Sequence, residues 1–535
     1  MKRLISCLLA CALLLISLTA CGGGKTGGAE KNKKTVVIGT QSDLVTLDPG
    51  NMYEAYSNMV SSGVYDTLFR VRTGTLGTPE PSAATGVAID DSKTVYTITM
   101  RTDISFSSGN KLTAKDVAWS VNRVLNMKES NAYPDVAVVQ SVEATDDFTV
   151  VFTLNEPDAS FLDKLTSSAY SILDSELVKL HGGSDKGGDT ARIWLDTTSA
   201  GSGPFVVRSW SPQELVLEKN PTYWGGNGNI DTVVLKKMES APAELEAIGK
   251  GEIDIALDLN TQAPGKLDGK ENVCVVSGTS VLLAFLAMNR DPLLSPELSN
   301  PKVQEAVRCA LDYRSYLALA GENSTVPLNF MPLGFAGALT RDLKTEGRNV
   351  EKARELMVEA GYPAGFAVIL ACPDIALEGI DWKMIALKVK DDLAGIGIAV
   401  TIETLDYQQF YKEVRSASLP FYLAYWSPHY YDANSQLAFL PGMGESATVY
   451  GRRTGWAADA DNQSLLDLAA KMRGEADQVL RAEYSGELQR QYTGDNPFAF
   501  LFQPAGTFAY RSDTLETVGY SDLSKKIELR QLKAK

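Results

Sequence analysis

Apolar residues recur with a period of two in several short stretches of the chain. "TVVIGT" opens a strand at Thr35, and "TVYTITMR" places Tyr96, Ile98 and Met100 on one face. "FTVVFTL" does the same with Phe148, Val150, Phe152 and Leu154, so both read as half-buried strands. Between them Thr113 stands at a helix N-cap with Asp116 three residues on, where a capping box carries its acid. Val117, Val121, Val124 and Leu125 then form the apolar stripe. "IDTVVLKKM" predicts a strand, Ala243 to Ile248 a short helix stopped by Gly249 and Gly251, and "IDIAL" a strand again.

Helical spacing dominates from Asn300, which caps a helix with Pro301 at its first position. Val303, Ala306, Val307, Ala310 and Leu311 keep the 3.6 period. Asn349 caps a second helix, bearing Ala353, Leu356, Met357 and Ala360 and ended by Gly361. "MIALKVKDDLAGIGIAVTIETL" reads as helix, glycine stop and strand, and Asp406 caps the next helix. Alternation of helix and strand without a fixed-period repeat predicts an α/β or α+β body.

The ends and totals narrow the class. Lys2 and Arg3 precede an apolar run to Leu18, followed by Leu-Thr-Ala-Cys ending at Cys21. This is the layout of a secretory signal, too short for an ordinary membrane span. The four residues look like a bacterial lipobox, with Cys21 acylated and "GGGKTGGAEKNKK" as a flexible tether. Beyond Cys21, the mature chain keeps Cys274, Cys309 and Cys372, which imply no disulfide framework, and no C-x-x-C pair suggests zinc. A net charge of −15 disfavours nucleic acid and anionic lipid heads as partners. The 535 residues need more than one core.

Enzyme signatures are missing. The sequence has no Gly-x-Ser-x-Gly elbow, Walker loop, dinucleotide fingerprint or His-Glu-x-x-His motif. His181 and His429 are its only histidines, and His181 lies in a glycine-rich loop. No catalytic residue, metal site or cofactor is expected; a hydrolase is the different-class alternative.

Six segments carry a resemblance in order. They begin with "LDPGNMYEAYSNMVSSGVYDTLFRV" and "YTITMRTDISFSSGNKLTAKDVAWSVNRVL". "GSGPFVVRSWSPQELVLEKNPTYWGG", the helices "NPKVQEAVRCALDYRSYL" and "EKARELMVEAGYP", and "YWSPHYYDANSQL" follow. They resemble the family 5 extracellular solute-binding proteins, the dipeptide-, oligopeptide- and nickel-binding components of ABC importers, and the last matches the family's tryptophan-containing ligand segment. The resemblance implies an α/β fold of the periplasmic-binding-protein-like type II class (cluster C), two lobes about a two-strand hinge with an extra inserted domain. After a signal peptide (1–20) and tether (21–34), domain I comprises 35–65, 198–280 and 505–535. Domain II is the insertion 66–197 and domain III is 281–504, with crossings near Ser280 and Pro504.

It also implies a lipid-anchored, monomeric protein on the outer face of a bacterial membrane. Such a protein captures a small solute by hinge closure and delivers it to separate permease chains. In peptide-binding members an aspartate three residues after the segment's tryptophan pairs with the peptide's α-amino group. Here that position, counted from Trp426, is His429. Three ligands stay open: a peptide held by Asp432, Glu54 or another acid, a non-peptide solute, or a metal chelate. Trp426, His429, Asp432, Tyr425, Tyr430, Tyr53 and Arg290 are the candidate ligand-binding residues. Phe421, Leu423 and Tyr425 are expected on one strand face, Tyr422, Ala424 and Trp426 on the other, one face forming core. Replacing the histidine, His429→Asp, is expected to improve affinity for free-amine peptides.

Overall fold

A computed structural model describes residues 34–535, except 43, 45, 53–54, 72–77, 129, 227, 260–262, 268, 322, 342–346, 378, 443–448, 493 and 522–525. Cys21, the tether up to Lys33, Tyr53 and Glu54 therefore lie outside the described residues.

The strands of the three large sheets show how the chain is threaded. β1 (Thr35–Thr40) starts one sheet, and the chain then leaves it to build another. β2 (Ala84–Ile89), β3 (Val95–Met100), β4 (Val139–Asp146) and β5 (Thr149–Leu154) form an antiparallel sheet in the order β2-β3-β5-β4. Tyr96, Ile98, Met100, Val150, Phe152 and Leu154 are buried, as the period-two pattern requires, whereas Phe148 falls in the preceding turn. The helix Ala114–Asn126 supplies Val117, Val121 and Val124 to the same core. Its Asp116 carboxylate accepts from the Thr113 amide and hydroxyl, each at 2.9 Å.

The chain then returns with β6 (Phe205–Ser211), β7 (Glu214–Lys219), β8 (Thr232–Lys237), β9 (Ile255–Leu259) and β10 (Val273–Thr279). β1 lies parallel to β8, with Val36 beside Val233 and Ile38 beside Leu235. The helix between β8 and β9 runs Ala241–Lys250, longer than expected. Gly249 is an interior residue of it, and Gly251, at φ 76°, is the position that needs a left-handed backbone.

A third sheet, with the helices packed on it termed lobe III, is built from β11 (Leu283–Met288), β12 (Phe366–Pro373), β13 (Ile398–Leu405), β14 (Phe421–Trp426) and β15 (Phe498–Phe502), ordered β13-β12-β14-β11-β15. β16 (Ala505–Arg511) closes the first sheet as β10-β16-β9-β1-β8-β7-β6. Every residue of β11 is buried, because alternate side chains enter cores on opposite faces of the sheet. β14 lies beside it, so Phe421 and Leu423 enter one core and Tyr422 and Ala424 the other. Both faces of this strand are core, not one. Tyr425 and Trp426, at its C-terminal end, are half-buried.

The polypeptide passes between the two large sheets twice, after β10 and before β16. There the Ser280 amide donates to the Pro504 carbonyl at 3.0 Å and the Gln503 side chain donates to the Ser280 carbonyl at 2.5 Å. Arg123 of the inserted segment is tied to Asp48 by two bonds, at 2.7 and 2.9 Å, and to Asp189 by two more at the same distances. Among the described residues no disulfide joins Cys274, Cys309 or Cys372, and the last two are buried in the lobe III core.

Candidate functional site

A cleft of about 1260 Å³ opens where the three sheets meet. The first sheet's lobe contributes Gln41, Tyr56, Trp210 and Lys237, and the crossing contributes Ser280 and Leu282. The inserted domain contributes Lys128, Asn131, Tyr133, Asp135, Asp158 and Lys164. Lobe III supplies Tyr407, Tyr411 and Arg415, the end of β14 with its following bend, and Arg452, Arg453 and Arg473.

The bend after β14 brings four of the sequence-predicted residues to this wall: Tyr425, Trp426, His429 and Tyr430. The Trp426 indole N–H is buried without a partner among the described residues. Its ring is tilted against His429, with 6.1 Å between centroids. The Tyr425 hydroxyl is 3.0 Å from that of Tyr407. The Tyr430 ring carries the Lys164 ammonium 5.4 Å from its centroid, and burial, then Asp158, pushes its hydroxyl pKa well up.

Two predicted residues stand elsewhere. Asp432 caps the following turn through the Asn434 amide at 2.8 Å and is paired with Arg481, so it does not line the cleft. A short acid directly before a helical turn is drawn into capping, and here an arginine bonds the same carboxylate oxygen. Arg290 is likewise outside the cleft. Its guanidinium pairs with Asp495, bonds Gln304 at 3.1 Å and lies 5.0 Å from the Trp456 ring centre. His181, at the other end of the sequence reading, is exposed and stacked on Trp194.

Sequence reading missed the partner of His429. Its Nδ1 lies 2.6 Å from Asp135 Oδ2, and the two side chains are only 18% and 14% exposed. A carboxylate can only accept, so Nδ1–H donates and the pair fixes the ring's orientation. Asp135 sits in the one-turn helix Tyr133–Val136 of the inserted domain, 294 residues away in sequence. Nothing in the local pattern around Pro134 and Asp135 marks them as a site.

More bonds join the inserted domain to lobe III nearby. Arg415 donates to Asn131 Oδ1 at 3.0 Å, Asn434 to Asp158 at 3.3 Å, and the Ala159 amide to the Arg473 carbonyl at 2.8 Å. Burial raises the Asp158 pKa, but Lys164 and Ser160 outweigh it and leave the carboxyl below its ordinary value. Burial, and then the Asp432 charge, pushes the Asp163 carboxyl up to about 8. Among the described residues neither Arg415 nor Arg453 has a carboxylate partner, and Arg453 lies 5.2 Å from the Tyr450 ring centre. The described residues hold no cluster of three or more metal-ligating side chains.

A cleft between lobes linked by two strands is a geometry suited to holding a small molecule. The chain is 26% identical over 480 residues to the probable D,D-dipeptide-binding periplasmic protein of Escherichia coli, covering 88% of this chain and 89% of that one. Its fold matches the periplasmic binding protein DppA from Helicobacter pylori in complex with the peptide STSA. The TM-score is 0.81, with 24% identity over 94% of this chain and 98% of that one. It also matches AgaA of A. tumefaciens in complex with agropinic acid, at TM-score 0.80, 20% identity, and 94% and 98% coverage. These neighbours share the type II two-lobe fold. The family model for bacterial extracellular solute-binding proteins, family 5 (middle region), matches residues 78–447, and the chain belongs to that family.

Proposed function

We propose that this protein is the lipid-anchored substrate-binding component of an ABC importer and that its ligand is an oligopeptide or peptide-like compound. The cleft carries the reading. Small-molecule sites run to about 300–1000 Å³, and this one, at about 1260 Å³, accommodates several residues of an extended chain with water. The similarity to a D,D-dipeptide-binding protein and to a peptide-bound neighbour supports the same class. Trp426, Tyr425, Tyr430 and His429 are the ligand-facing residues of lobe III. Closure of lobe III on the other two domains presents the loaded form to permease chains encoded elsewhere.

A second reading, a non-peptide acidic solute, is favoured by Arg415 and Arg453, cleft cations without carboxylate partners among the described residues. The neighbour bound to agropinic acid is consistent with it.

Native mass spectrometry of the protein as purified, followed by thermal-shift screening, separates the two. The screen includes D-alanyl-D-alanine, other peptides of two to five residues, opine-type sugar acids and nickel chelates. A ligand at a hundred times its dissociation constant adds about 2.7 kcal/mol to stability. Stabilisation by peptides is expected; stabilisation by sugar acids alone overturns the peptide reading, and turnover of a bound compound overturns the binding role. Labelled palmitate is expected on the wild type and not on Cys21→Ala; attachment to both removes the lipid anchor at Cys21.

A further inference from the structure

Six acids line the cleft, and they are not equivalent. Glu156, Glu239, Asp374 and Asp406 are exposed, Glu156 pairing with Arg473 and Asp406 capping the helix Tyr407–Arg415. Asp158 is buried, but its oxygens accept from the Ser160 amide and hydroxyl, from Lys164 at 2.6 Å, and from Asn434. Asp135 differs from all of them. Its side chain is 14% exposed, and among the described residues its carboxylate accepts one hydrogen bond, from His429 to Oδ2. Oδ1 has no donor there and is not among the buried unpartnered atoms, so it opens to the cleft.

A largely desolvated carboxylate with one oxygen still to fill attracts a cation that can donate. Donation from Nδ1 to Oδ2 leaves Oδ1 as the open acceptor of the Asp135–His429 pair. The rings of Tyr133 and Trp426 also line this part of the cleft and suit a cationic group. We infer that Asp135, from the inserted domain, receives a primary ammonium group of the ligand at Oδ1. His429, from lobe III, is the positioning residue that holds the carboxylate. This rests on the peptide-like reading above and specifies that the ligand carries a free amine. Because acceptor and positioning residue come from different domains, the ammonium site is complete only when the lobes are together. Amine recognition and closure are therefore coupled, the ligand favouring the state in which the site exists.

The test is calorimetric titration of the full mature protein with a library of peptides of two to five residues. Each is supplied with a free and with an N-acetylated terminus. Wild type is expected to bind the free form of its best peptide tighter than the acetylated form by about tenfold or more. Asp135→Asn, which keeps the shape, is expected to bring that ratio close to one while leaving the acetylated peptide's affinity unchanged. That retained binding also reports an intact fold. His429→Leu is expected to lower the ratio by a smaller factor. An unchanged ratio in Asp135→Asn overturns the assignment of Asp135, and one in His429→Leu overturns the positioning role. Equal wild-type binding of both forms overturns the ammonium site and leaves the peptide reading standing. Binding of no library member overturns both.

Discussion

Replacing Arg123 with methionine removes the cation that joins the first lobe to the inserted domain. Its guanidinium is fully buried between Asp48, also fully buried, and Asp189, which is 6% exposed. Burial lowers the Arg123 pKa, but the bonds to the two aspartates outweigh it and hold the group above its ordinary value. Breaking a buried pair by deleting one partner costs about 3–5 kcal/mol, because the remaining charge is left uncompensated. Each aspartate keeps two donors here, Gly50 and Asn51 for Asp48, Ser184 and Ala191 for Asp189. The lower end, about 3 kcal/mol, is therefore expected. For a cooperative unit of domain size that lowers Tm by roughly 6–12 °C.

The pH dependence has a definite sign. In the wild type the Asp189 pKa is depressed: burial raises it and Arg123 more than offsets this. That contribution is present above the unfolded value and lost as pH falls through the folded one. In Arg123→Met burial raises the Asp189 carboxyl without its main offset, so the contribution of that group is lost as pH rises. The gap between wild type and variant must widen from pH 5 to pH 8. Scanning calorimetry at both pH values measures it. A Tm within 2 °C of wild type at pH 8, or a gap that does not change with pH, refutes the reasoning. Survival of ligand affinity with a lowered Tm would show that the pair stabilises the two domains as one body without touching the cleft.

The other expectations concern single groups. Burial, then the Asp258 charge, raises the Glu244 carboxyl to about 9, so it stays protonated at pH 7. Its stability contribution is lost as pH rises, and Glu244→Gln is expected to gain about 3 kcal/mol at pH 7 and less at pH 5; a pH-independent change in Tm refutes this. Gly365 adopts φ 73°, and a Cβ there would run into the Gly397 carbonyl. Gly365→Ala is expected to cost about 1–3 kcal/mol, read as a lower denaturation midpoint, and no shift would refute the strain. His429→Asp places a carboxylate against Asp135, at the site of a 2.6 Å contact. It is now expected to weaken binding of free-amine peptides at pH 8, measured by calorimetry, the reverse of what the sequence alone suggests.

The elements were legible where one local rule decided them. Asn300, Asn349 and Asp406 each accept from an amide of the helix they begin, because a short polar side chain before an apolar stripe has few other conformations to satisfy. Strands with one buried face announced themselves by alternation, as in Val95–Met100. β14 did not, because a strand covered on both faces carries apolar residues at every position, and its burial follows from its neighbours in the sheet. The last two helical residues before Gly251 were hidden for a related reason. A glycine inside a helix and one that ends it look alike in sequence, and only the left-handed φ at Gly251 separates them.

The site was half legible, and the division has a physical cause. Residues brought to the cleft by one continuous segment, from Tyr425 to Tyr430, could be listed together because the chain itself fixes their spacing. What each side chain does there depends on groups from elsewhere in the chain. Asp432 looks as available in sequence as any acid, yet the Asn434 amide and Arg481 occupy it. His429 looks like the loss of a negative charge, yet the fold sets a carboxylate from the inserted domain against it. A substitution at one wall of a cleft can be judged only with the opposite wall in place. The charge missing at position 429 does not imply a cleft without an anionic anchor, since Asp135 delivers one across the gap between domains. Relocating that charge to another domain changes more than its address: an anchor within one lobe can hold an amine while the cleft is open, whereas one shared by two holds it only on closure.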